Sequence, residues 1–139
     1  MDAVIVAAKL ESLRRCVRRI EARRADTAEV LAEDFDRQDI LVLNLTRAVQ
    51  VCVDVGAHLL ADTEHQAPET MGETFDLLAE EGMLDVDLAR RMRAAVGFRN
   101  IAVHSYRSID WRIVHGLTTT GLEDLRAFAA AIGRVLDEG

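Results

Sequence analysis

The side chains best suited to chemistry gather in one run, Gly97-Phe98-Arg99-Asn100-Ile101-Ala102-Val103-His104-Ser105-Tyr106. Arg99, Asn100, His104 and Tyr106 fall within eight residues of one another there. A histidine titrates near neutral pH and can take or give a proton. An arginine grips phosphate oxygens with paired N–H donors and stabilises charge developing on them. RNA carries its own nucleophile, the 2′-hydroxyl, so its cleavage needs only a base, an acid for the leaving 5′-oxygen, and positive charge on the phosphorane-like transition state. Asn100 could orient the histidine or hold a phosphate oxygen. The plainer reading stands beside this one: an Arg–His pair on a helix is more often structural.

The spacing constrains how such a site could be built. Five residues separate Arg99 from His104, about 140° of rotation on an ideal helix, so the two do not share a face. Arg99 and Tyr106, seven apart, do. Either the helix ends between them, or side-chain reach and a second subunit complete the site. No metal or other cofactor is expected. The histidines, His58, His65, His104 and His115, form no His-x3-His pair, and no glycine-rich phosphate loop or paired cysteines occur. No serine or cysteine has an evident base beside it.

The elements that must carry these residues read as helices. Val6, Leu10, Leu13, Val17 and Ile20 recur every three or four residues, which predicts one amphipathic helix over about residues 3–33. A second pattern runs from Phe35 to Ala61, with Leu41, Leu45, Ala48, Cys52, Val55 and Leu59 on one stripe and Val42, Val49, Val51 and Val53 on other faces. A helix apolar nearly all round is buried on several sides, which makes it a central helix or a subunit interface. His65–Gly72 is a loop holding the single proline. A short helix over Glu73–Glu81 follows, with Phe75 and Leu78 inward and Gly82 as its stop. Asp85 or a neighbour caps a fourth helix that turns Leu88, Met92, Ala95 and Val96 inward and runs towards Ser105. Residues 107–117 read as a connection with about one helical turn. Thr120-x-x-Glu123 reads as a capping box opening the last helix, whose core positions are Leu122, Leu125, Ala129, Ile132 and Leu136. The expected fold is all-α: an up-and-down bundle of four main helices plus a short one, a single domain over residues 1–139.

Composition supports a globular chain. With 139 residues, half of them hydrophobic, the core is large enough to fold without staples. No uninterrupted 18-residue apolar run occurs, so no membrane span is expected. The apolar start AVIVAA is too short and lacks the basic flank of a secretion signal. Cys16 and Cys52 sit in apolar helical patterns and read as small buried hydrophobes, consistent with a cytoplasmic protein. The net charge of −7 speaks against general nucleic-acid binding, but it is segregated. Residues 1–24 hold seven basic and three acidic side chains (+4), and residues 25–84 two and fourteen (−12). Residues 85–115 hold six and three (+3), and residues 116–139 two and four (−2). All basic residues but Lys9 are arginine, the better phosphate ligand.

The run Arg99-Asn100-x3-His104-x-Tyr106 resembles the Arg-x4-His-x-Tyr motif of the HEPN superfamily, specifically the HepT toxins of HepT/MntA toxin–antitoxin pairs. Gly97-Phe98, Asp54-Val55-Gly56-Ala57-His58, Phe75-x-x-Leu78 and Glu81-Gly82 look like that family too. Its members are all-helical and of similar length, so the resemblance covers nearly the whole chain. It implies a metal-independent endoribonuclease acting on tRNA or mRNA as a homodimer, with the motifs meeting in a composite cleft. Arg99 and His104 would be catalytic and Asn100 supporting. It also implies a partner, an MntA-like nucleotidyltransferase antitoxin that transfers AMP to Tyr106. Bulky anionic AMP there would fill the cleft and repel RNA phosphate.

Other residues carry two readings each. Asp54 and His58, four apart on the second helix, are either an ion pair fixing that helix or a second layer behind the cleft. Arg47 could join the same polar stripe. Arg90, Arg91 and Arg93 either bind RNA phosphate or form a solvated face. Trp111 either stacks on a base or anchors the connection to the core, and His115 lies in the same connection. His65 has no assigned role. The alternative function is a non-catalytic helical module that binds RNA or nucleotide, or docks a nucleotidyltransferase. A dimerising scaffold without a site is the blandest reading.

Overall fold

A computed structural model describes residues 2–138. Four long helices follow the predicted apolar stripes: α1 (Ala3–Arg23), α3 (Phe35–Leu60), α5 (Val86–His104) and α7 (Thr120–Glu138). Between them lie α2 (Ala28–Glu33), α4 (Met71–Glu80) and α6 (Trp111–Thr118), with a 3-10 turn at Tyr106–Ser108 before α6. No strand occurs among the described residues. The all-α bundle read from the pattern is the observed architecture.

α3 is the axis. α1, α4 and α5 all pack on it, α7 closes against α1 and α5, and α2 pairs with α6 at one end. The predicted stripe of Leu41, Leu45, Ala48, Cys52, Val55 and Leu59 is buried throughout, and so are Val42, Val49 and Val53 on the flanks. By length and composition alone α3 could cross a membrane, an exception to the expectation that no such segment exists. Yet 56% of that apolar window is buried inside the bundle, so packing against four-sided neighbours already removes it from water. Phe75 on α4 and Phe128 on α7, both fully buried, meet edge to face at 6.0 Å. Gly56 lets α4 approach: a Cβ there would lie 2.5 Å from Thr74 Cγ2 and 3.0 Å from Leu78 Cδ1. Gly82 ends the turn after α4 with φ +76°, a conformation that suits glycine.

Three boundaries differ from the sequence reading. The helix predicted over residues 3–33 breaks after Arg23. Arg24 turns extended, Ala25 buries, and the Thr27 hydroxyl accepts from Val30 N–H to start α2. The Asp-Thr pair here competes with helix continuation by offering the backbone a cap. Second, residues 107–117 hold more than one turn. The Asp110 carboxylate caps a two-turn helix, α6, by accepting from Arg112 N–H. Third, Thr120 forms no capping box. Its hydroxyl donates back to the Gly116 carbonyl at 3.3 Å, and Glu123 pairs with Arg126 instead. The hydroxyls of Thr118 and Thr119 also turn back, to His115 and Gly116 carbonyls, so α6 and α7 join as a tight corner. Asp85 does cap α5, accepting from Leu88 N–H, and Thr70 rather than a later residue starts α4.

Cys16 and Cys52 are free and buried. Burial pushes both thiols up, which leaves them protonated and unreactive.

Candidate active site

The motif occupies the last turns of α5 and the turn beyond it. α5 ends at His104, with Ser105 as its C-cap (φ −147°, ψ 53°), and Tyr106 opens the 3-10 turn. Of the two solutions left open by the spacing, the helix does end before Tyr106. It does not end between Arg99 and His104, and the two side chains part accordingly. Arg99 is partly buried against α3, while the exposed His104 side chain has no hydrogen-bond partner among the described residues.

Arg99 is held by amides. Its Nη1 donates to Asn100 Oδ1 at 3.2 Å and its Nη2 to Gln50 Oε1 at 3.3 Å. The Nε is buried with no acceptor. Gln50 Nε2 in turn donates to Asp54 Oδ1 at 2.9 Å. The glutamine therefore stands between the cation and the nearest carboxylate of this chain of bonds. The guanidinium is positioned without being neutralised, and it keeps an unspent donor. That donor, Nε, is buried, so an oxyanion would be met by the remaining N–H groups of Nη1 and Nη2.

Tyr106 faces a different partner. Its hydroxyl donates to Asp39 Oδ1 at 3.0 Å, and its ring meets Trp111 edge-on at 6.3 Å. Burial and the adjacent Asp39 carboxylate push the phenol above its ordinary value. The hydroxyl thus stays protonated, with a hydrogen-bond acceptor already in place.

The remaining candidates separate cleanly. Asp54 and His58 do not pair with each other. Asp54 bonds Gln50, and His58 Nε2 accepts from the Asp2 backbone N–H at 3.1 Å. Only Asp54 stands behind the motif; His58 ties the start of α1 to α3. Arg90, Arg91 and Arg93 each meet a carboxylate, of Asp87, Asp124 and Asp76 respectively. Trp111 packs on the core, His115 reaches the Asp26 carbonyl, and His65 closes its loop onto Glu81 at 2.9 Å. Among the described residues no group of three His, Cys, Asp or Glu side chains could hold a metal ion.

Gln50 and Asp39 escaped the sequence reading. Gln50 has a local trace, since Arg47, Gln50 and Asp54 lie three and four apart on one face of α3. Nothing in the sequence links either residue to a partner 49 or 67 positions away.

A family model described as ribonuclease HepT-like matches residues 13–132, nearly all of the bundle. The chain belongs to the HepT-like ribonuclease family. It is 31% identical over 128 residues to the mRNA nuclease HepT of Shewanella oneidensis, covering 92% of this chain and 96% of that protein. The tRNA nuclease HepT of Aphanizomenon flos-aquae is 26% identical over 110 residues, 79% of this chain and 75% of that one. A solved structure of the tri-AMPylated Shewanella oneidensis HEPN toxin in complex with MNT antitoxin superposes with a TM-score of 0.87 at 30% identity, covering 96% of this chain and 98% of that one. At the end of α5 this HepT-like ribonuclease carries Arg99, bonded to amide oxygens, and the exposed His104.

Proposed function

We propose that this HepT-like chain, read as one HEPN-type domain, is the toxin of a toxin–antitoxin pair. On this reading it is an endoribonuclease that cuts RNA without a metal. The observation that carries the reading is the Arg99 guanidinium, fixed by two neutral oxygens and left cationic. Arg99 would bind the scissile phosphate and stabilise its transition state, with Asn100 holding the guanidinium in place. A His104 imidazole takes the proton of the 2′-hydroxyl as that oxygen attacks phosphorus. The bond from phosphorus to the 5′-oxygen breaks, and an imidazolium gives the leaving oxygen its proton. The products are a 2′,3′-cyclic phosphate and a 5′-hydroxyl.

Two proton-transfer roles need two histidines, and each protomer offers one at this end of α5. A homodimer that joins the two motifs supplies both. Exposed apolar side chains flank the motif for such a contact: Ile101 and Val103 on α5, and Phe35 and Leu43 on α3. Asp39, bonded to Tyr106, lies on α3 between the latter two. Two of the relatives are named as an mRNA and a tRNA nuclease, and both RNA classes are candidate substrates here.

The expected partner is an MntA-like nucleotidyltransferase antitoxin, since the structural relative is AMPylated and bound to an MNT antitoxin. Tyr106 is the acceptor in this reading. It is the one tyrosine of the sequence, 42% exposed and two residues from His104.

The test is cleavage of total RNA in EDTA by wild type and His104→Ala, with intact mass measured beforehand so that pre-existing AMP on Tyr106 is recognised. Cleavage by wild type alone, with cyclic phosphate ends, is the expected result. An unmodified, dimeric wild type that binds RNA without cutting it would replace the enzyme by a docking or binding module.

A further inference from the structure

α1 carries two rows of arginine that differ in how they are compensated. On the side facing α7, Arg14 and Arg18 both pair with Glu11, and Arg126 across the groove pairs with Glu21 and Glu123. On the side facing α3, Arg15 and Arg19 pair with no carboxylate among the described residues, and neither does Arg47 opposite them. These three arginines line a groove of about 320 Å³ whose walls include no acidic residue. All three are exposed. Arg15 and Arg19 are one turn apart, about 6 Å along the helix.

Two observations aim this groove at a ligand. Arg15, Arg19 and Arg47 share the groove with Cys16, and each pulls against the burial that raises that thiol. The groove wall also includes Gln50, whose amide oxygen accepts from Arg99. One side chain thus links the groove to the candidate active site. We propose that the α1–α3 groove is a phosphate-binding track for single-stranded RNA, with Arg15, Arg19 and Arg47 holding backbone phosphates of the strand whose scissile phosphate sits at Arg99. This rests on the ribonuclease reading for its substrate. A row of unpaired arginines binds such a strand by its charge, without reading sequence. It also explains how a chain of net charge −7 would hold RNA: the positive field is local, one face wide.

The test uses the protein carrying His104→Ala, so that substrate survives. A fluorescent oligouridylate of about 12 nucleotides is titrated at several salt concentrations against this protein, against the same protein with Arg15→Gln, Arg19→Gln and Arg47→Gln, and against a control with Arg14→Gln, Arg18→Gln and Arg126→Gln. Each contacted phosphate adds about 0.7 to the slope of log K on log salt. The groove variant should therefore lose about 2 from the slope and bind at least tenfold more weakly at low salt. The control, with the same change in net charge, should stay close to the parent. Circular dichroism confirms that each variant folds. Equal losses in both variants, or no loss in the groove variant, overturn the proposal. So does a groove variant that keeps its RNA slope but no longer binds the nucleotidyltransferase antitoxin, which would make the face a protein-docking surface. In the His104-intact background, the groove variant should cut both the oligouridylate and total RNA with a raised KM. A wild type that cuts neither would sink the ribonuclease reading, while the salt slopes still decide the groove.

Discussion

The two ends of α5 carry arginines in opposite circumstances. Near its start, Arg90, Arg91 and Arg93 each meet an aspartate, and the pair between Arg93 and Asp76 stitches α5 to α4. Near its end, Arg99 meets only amide oxygens. An exposed ion pair contributes at most about 1 kcal/mol and cancels the charge of both partners. An amide fixes a guanidinium equally well in space and cancels nothing. The first arrangement serves the bundle, and the second leaves a cation available to a ligand. The residue type is the same at both ends, so what separates these arginines is what faces each of them.

The largest effect should come from removing that cation. Arg99→Ala is expected to lower kcat/KM for RNA cleavage by about 10³, the order seen when a preorganised transition-state donor is lost. Arg93→Ala, at the compensated end, should leave the rate within about twofold of wild type while costing at most about 1 kcal/mol of stability. Equal losses at both positions would erase the distinction drawn between them.

Gln50→Glu converts one end of the helix into the other. It would give Arg99 a carboxylate partner and set a like charge against Asp54, where the glutamine had donated a hydrogen bond. Cleavage should fall by about 10- to 100-fold, equivalent to about 1.4–2.8 kcal/mol of transition-state stabilisation, chiefly in kcat. Unchanged kinetics would mean that the charge of Arg99 is already compensated or unused. Gly56→Ala probes the structural end instead. Its Cβ would collide with Thr74 Cγ2 and press Leu78, forcing α4 and Asp76 outward. A loss of about 1–3 kcal/mol in chemical denaturation is expected from such overpacking, with cleavage by the folded fraction retained.

The smallest effect concerns Tyr106. Asp39→Asn removes a carboxylate that helps hold the phenol above its ordinary value. Tyrosinate absorbance, unambiguous with one tyrosine, should then appear at lower pH than in wild type. The linkage has a definite sign. A raised tyrosine value stabilises the folded state below the unfolded pKa, and that contribution is lost as pH rises through the folded pKa. The alkaline limit of stability should therefore retain less pH dependence in Asp39→Asn.

Much of the scaffold was legible from spacing. Val6 to Ile20 and Leu41 to Leu59 recur with helical period and are buried as read. Gly82 and Asp85 acted as stop and start because their roles are local, one supplying positive φ and the other a carboxylate to free amides. The errors were local too. The apolar stripe stops at Ile20, and extending the helix past Arg24 missed the break made by the Thr27 cap. Thr120 has the spacing of a capping box, yet its hydroxyl found a nearer acceptor in the Gly116 carbonyl.

The sequence by itself determined the helical class and the motif Arg99-Asn100-x3-His104-x-Tyr106, and left α3 as a central helix or a subunit interface, because period and motif are relations between near neighbours along the chain. Only the tertiary structure decided that Gln50 and not Asp54 faces Arg99, that Asp39 faces Tyr106, and that Arg15, Arg19 and Arg47 meet no carboxylate among the described residues while Arg90, Arg91 and Arg93 do. The physical reason is that whether a charge is compensated depends on partners a few ångströms away in space, and here those partners come from helices dozens of residues apart. Composition counts the charges; packing alone assigns them their neighbours.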